Sequence, residues 1–133
     1  MTYLGLVWKA LWGDPVAQRA TWHAHEPYYL TARLGTLPVY LSSGDGTAGP
    51  LDPPGTEPDP HVPGLEDPSE PFPDNAISPT ETLMPRESSA LATRLASLGT
   101  PVTTHFYAGT LSPPYWAREF RRSLPMLLRT PGL

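Results

Sequence analysis

The residues that could move protons, hold metal or act as nucleophiles, among them 13 Asp+Glu and four His, are scattered along the chain. There is no cysteine, which excludes thiolate metal sites, cysteine nucleophiles and disulfide scaffolds. His23 and His25 form a His-x-His pair, but two nitrogens fall short of a zinc site. On a helix the two rings would also point apart, so no metal site is expected. Asp45 in Gly44-Asp45-Gly46, with Asp52 beyond, has a faint likeness to a calcium loop. The EF-hand spacing and its terminal glutamate are absent, and a turn aspartate is the better reading. His105 falls in a predicted strand and is expected to be satisfied or exposed there. His61 sits among acidic and proline residues and is expected to be solvated. Glu81 follows Ser78 by three places, a capping-box pattern that needs no chemistry to explain it.

The elements that would position these residues can be read from pattern. Asp14-Pro15 supplies an N-cap and a first-turn proline for a short helix over 16–25, and Pro27 marks its end. Residues 37–42 are a short β-prone run closed by the turn at 44–46. Residues 50–79 hold ten prolines and seven acidic residues without a Lys or Arg. Such a stretch cannot offset its ordering entropy by burial, and a long extended or disordered loop is expected. A helix then runs from Ser78 to Gly99, with Ala90, Leu91, Leu95 and Leu98 on one face. Pro85 should kink it or delay its start. Residues 102–107 form a second strand. A last helix over 114–128 carries Trp116, Phe120, Leu124, Leu127 and Leu128 as its apolar face, with Pro125 bending its final turn. Strand, helix, strand, helix implies a βαβ unit with parallel strands. Two parallel strands are not a domain by themselves, since such sheets need neighbours and cover on both faces.

Several of these segments resemble one esterase branch of the α/β-hydrolases, which includes the mycolyltransferases of the antigen 85 complex. Gly109-Thr110-Leu111-Ser112-Pro113-Pro114-Tyr115-Trp116 resembles the segment that carries the branch's catalytic histidine, typically Gly-Thr-His-Ser-Trp-Pro-Tyr-Trp. Trp12-Gly13-Asp14-Pro15 with Gln18-Arg19 and His25-Glu26-Pro27, Leu41–Gly46 with Gly49–Pro53, Leu98–Val102 and Arg118–Pro125 match further family stretches in order. The resemblance covers nearly all of residues 1–133 and maps onto the C-terminal half of the family. It implies a partial, incomplete α/β-hydrolase domain with the proline-rich loop at 50–79. The family hydrolyses or transfers acyl groups with a Ser-acid-His triad, its serine on a Gly-x-Ser-x-Gly elbow. No such elbow occurs here. The acid place falls at or near Glu81, and Leu111 occupies the histidine place. The resemblance therefore implies an acyl-ester substrate only if an N-terminal half completes the site, and an inactive chain by itself. A non-catalytic interaction or structural remnant is the alternative.

Composition narrows the partners. Nine Lys+Arg in 133 residues with a net charge of −4 disfavour nucleic acid, which needs clustered cations. No apolar run approaches the roughly 20 residues of a membrane span. The apolar stretch 1–12 lacks a basic flank and a clear cleavage site and is not read as a signal peptide; it suits packing against protein. The compartment stays open. No cofactor is expected, and an exposed sheet edge could support self-association.

Overall fold

The computed structural model describes residues 10–57 and 75–129. Most of the proline-rich segment, His61 included, lies outside the described residues, as does most of the apolar stretch at 1–12.

After helical residues at 10–12 come α1 (Arg19–His25) and α2 (Pro27–Leu30). The Asp14 carboxylate accepts the backbone N–H groups of Val16 at 2.9 Å and Ala17 at 3.1 Å. This satisfies donors that a helix start leaves orphaned, although regular α-helix begins only at Arg19. Glu26, placed before a proline, is forced to extended backbone (φ −79°, ψ 125°) and breaks α1 from α2. Pro27 then begins α2, where its missing N–H costs nothing.

The sheet described here has two parallel strands, β1 (Val39–Gly44) and β2 (Val102–Tyr107), in register from Val39 opposite Val102 to Gly44 opposite Tyr107. β1 starts two residues later than the apolar run suggests, because Pro38 cannot donate to a ladder. Helix α3 (Met84–Ser97) connects the strands and packs along both. A 3-10 segment, Pro79–Leu83, precedes it. Pro85 therefore falls in the first turn of α3, where proline is tolerated, and delays the helix instead of kinking it. At the other end Gly99 takes φ +77°. Its N–H reaches Ala96 O at 3.0 Å and the Thr100 N–H reaches Leu95 O at 3.1 Å, a Schellman closure. Helix α4 (Pro113–Leu127) follows β2. This is the strand–helix–strand–helix order of a partial α/β fold.

The core is thin. Among the described residues the buried apolar side chains are Ala76, Leu95 and Tyr115, accompanied by buried Thr31, Ser43, Thr100, Glu119 and Ser123. The buried threonines and serines donate to backbone carbonyls, as Thr100 does to Gly35 at 2.8 Å, so their burial is compensated.

The apolar face expected on α4 does not turn inward. Trp116 and Phe120 are 56% and 59% exposed and Leu128 is 81% exposed, whereas Tyr115, Glu119 and Ser123 are buried. These three recur every four residues and form the stripe turned to the sheet. Period analysis ranks a helix face by hydrophobicity. Here a polar stripe won because the strands offer it partners: Tyr40 and His105 project from the face that α4 covers, and both bond Glu119.

Candidate functional site

The motif segment 109–116 leaves β2 through Ala108 and folds back over the exit of β1. Asp45 holds its start. The carboxylate accepts the Gly109 N–H at 3.2 Å, together with the Thr47 N–H at 3.0 Å and the Thr47 hydroxyl at 2.6 Å. Gly46 N–H donates to Gly109 O at 3.0 Å. Asp52 holds the middle, accepting from the Thr110 hydroxyl at 2.5 Å, the Gly49 N–H at 2.8 Å and the Tyr115 hydroxyl at 3.0 Å. The Tyr115 hydroxyl in turn accepts the Leu51 N–H at 3.1 Å. Burial pushes both aspartate carboxyls up, but these hydrogen bonds outweigh it and hold them below the usual range. Both are turn aspartates, as their sequence setting suggests, and both also tie two distant loops together.

Glycines make this junction possible. A side chain on Gly49 would strike the Ala108 carbonyl and the Tyr115 hydroxyl. Gly109 sits at φ +145° with its open side against the Tyr115 ring, so any Cβ there would be both strained and blocked.

Above this clamp the Glu81 carboxylate accepts the Leu111 backbone N–H at 2.9 Å. The acid and histidine places suggested by the sequence, thirty residues apart, thus meet. The capping box expected at Ser78 and Glu81 does not form: the 3-10 segment has no side-chain cap bond, and the Ser78 N–H is already given to Gly46 O at 3.0 Å. With that partner taken, Glu81 is left to turn toward the motif loop. Ile77 N–H also reaches Gly46 O, at 2.8 Å, and Thr47 bridges Ala76. These contacts bring the start of the Glu81 segment against the exit of β1. The Leu111 side chain is 37% exposed and offers no nitrogen or oxygen. The junction can orient a hydrogen-bond donor at position 111, but the Leu111 side chain itself has no atom that takes a proton.

A second polar cluster lies under α4. Glu119, 6% exposed, accepts from the Tyr40 hydroxyl at 2.7 Å and Arg118 Nε at 2.6 Å, and pairs with His105 Nδ1 at 2.8 Å. Burial pushes its carboxyl up, while Tyr40, His105 and Arg118 together pull it below its ordinary value. The Arg118 guanidinium also lies 4.3 Å from the Tyr107 ring centre and 5.0 Å from that of Tyr115, and these rings stack at 5.0 Å. His105 is therefore a satisfied strand histidine, and its role is to fasten α4. Sequence reasoning missed Glu119. The available signal was the four-residue spacing of Tyr115, Glu119 and Ser123, a polar stripe beside a more conspicuous apolar one.

The remaining candidates stay apart. His23 rests against Tyr29 with ring centres 3.8 Å apart, while His25 stacks on Trp12 at 6.1 Å. Among the described residues no group of three or more His, Asp or Glu could hold a metal ion, and no helix is long and apolar enough to cross a membrane.

Compared with known proteins, the chain matches no family model, no curated protein and no solved structure.

Proposed function

We propose that this chain is a C-terminal piece of a serine esterase or acyltransferase domain of the α/β-hydrolase kind, retaining the acid place and inactive by itself. One observation carries the reading: Glu81 and position 111, assigned to acid and histidine by resemblance alone, lie within one hydrogen bond of each other. In a working triad the acid orients the histidine and stabilises its cation while the histidine shuttles the serine's proton. The bond seen is to the Leu111 backbone N–H; it supports nearness of Glu81 to position 111, and the triad role for a base there is part of the proposal. Leucine there accepts no proton, and the chain contains no elbow serine.

Two measurements test the proposal. Purified chain should give no turnover of short-chain p-nitrophenyl esters; turnover abolished by a serine-directed inhibitor would overturn inactivity. The pairing is tested by Leu111→His, with and without Glu81→Gln, following the introduced imidazole by NMR. An adjacent carboxylate favours the imidazolium. The titration should therefore sit above the usual value of about 6.5 and return to it when Glu81 is neutralised. Equal titration in both backgrounds would sink the acid assignment. Leu111→His alone should not create an esterase, because no nucleophile accompanies it.

A non-catalytic binding role is favoured by a different observation, the exposed Trp116–Phe120 ridge of α4. Exposed aromatic ridges of this kind mark contact surfaces.

A further inference from the structure

Helix α1 turns one side toward a cavity of about 290 Å³, near the lower end of small-molecule pockets. Arg19, Trp22, His23 and Glu26 recur at helical spacing along that side. Pro15, Val16 and Tyr29 complete the lining. Along the chain the lining runs from a cation, Arg19, through the rings of Trp22 and His23 to a carboxylate, Glu26.

The cation is available. Arg19 Nε lies 3.5 Å from His23 Nε2, long for a hydrogen bond, and no carboxylate pairs with Arg19 among the described residues. The rings are held in place before anything binds. The Trp22 indole N–H donates to Gly13 O at 3.1 Å, and its ring meets Trp12 edge-on at 5.3 Å. Tyr29 is held by its contact with His23. Burial pushes the Glu26 carboxyl up, the negative charge of Glu87 adds to this, and His23 opposes it. Seven residue steps take the backbone from Arg19 to Glu26, about 10 Å along the axis.

We propose that this cavity binds a small aromatic zwitterion whose carboxylate and ammonium lie at opposite ends of the ring. The carboxylate meets the planar fork of Arg19, which suits two-point recognition. The ring lies along Trp22 and Tyr29, and the ammonium meets Glu26. An α-amino acid carries both charges on one carbon and cannot span the two ends. The site shares no residue with the Glu81–Leu111 junction, so it stands or falls independently of the acyl-transfer reading.

The test uses the full chain with 4-(aminomethyl)benzoate, benzoate and benzylamine, each titrated while amide and indole NMR signals are followed. The zwitterion should give saturable shifts at Trp22 and Glu26 with a Kd of about 1 mM or tighter. Benzoate and benzylamine should each bind about tenfold more weakly. Arg19→Gln should erase the advantage over benzylamine, and Glu26→Gln the advantage over benzoate, while Leu111→His leaves binding unchanged. No saturable shift up to about 10 mM, equal binding of the three probes, or indifference to both substitutions would overturn the proposal.

Discussion

Tyr115 is 0% exposed, and its hydroxyl both gives and receives a hydrogen bond across the motif junction. Tyr115→Phe keeps the ring but leaves the Leu51 N–H and one Asp52 oxygen short of a partner. A loss of about 1–3 kcal/mol is expected, read as a lowered midpoint in urea. An unchanged midpoint would mean that water replaces the hydroxyl freely. The carboxylates give a pH prediction with a definite sign. Asp45, Asp52 and Glu119 are held below their ordinary values in the fold. Their stabilisation is therefore complete above the unfolded carboxylate values of about 4 and is lost as pH falls through the lower native values. The thermal midpoint should drop steadily below about pH 4, and an Asp52→Asn, Glu119→Gln double variant should show a shallower drop.

At the scale of elements, α4 decides most. It is fastened to the sheet by a carboxylate and two tyrosines instead of an aliphatic seam, so Glu119→Ala should be costlier than its polar identity suggests. It would strand Tyr40, His105 and Arg118 together, at about 3 kcal/mol or more. Trp116→Ser with Phe120→Ser should leave the far-ultraviolet dichroism and melting midpoint almost unchanged, because both side chains already face outward. If those residues make a contact surface, the same pair should reduce self-association in sedimentation. A large fall in the midpoint would instead return them to the core. The elements themselves were largely legible. β2 falls on 102–107 as its β-branched and aromatic residues suggest, and the Gly99 stop and the Pro27 break act where local chemistry puts them, whereas Asp14 closes a turn ahead of a helix that begins only at Arg19. Which side of α4 turns inward was not legible, because that depends on Tyr40 and His105, residues remote in sequence.

At the scale of the molecule, the two parallel strands and few buried apolar side chains among the described residues give little to offset chain entropy. Among the described residues neither strand has a partner on its outer edge, and such edges invite pairing with other chains. The isolated chain is expected to melt broadly and to associate as its concentration rises. A sharp, concentration-independent transition of a monomer would show instead that these residues stabilise one another without help. No sequence window could supply this expectation in full, since it depends on how much apolar surface remains uncovered after folding.

The sequence by itself determined the order of the main elements, the Gly99 stop and the span of β2, and the lack of a base at position 111 and of an elbow serine. These depend on residue identity and on neighbours within a few positions. The tertiary structure alone decided that Glu81 faces Leu111 and not its own helix cap, that Asp45 and Asp52 join two loops, and that α4 buries Glu119 while exposing Trp116. Each of these choices turns on competition for one hydrogen-bonding partner, such as Gly46 O, the Gly109 N–H or the Tyr40 hydroxyl. Such a partner lies far along the chain and becomes available only when the two strands pair.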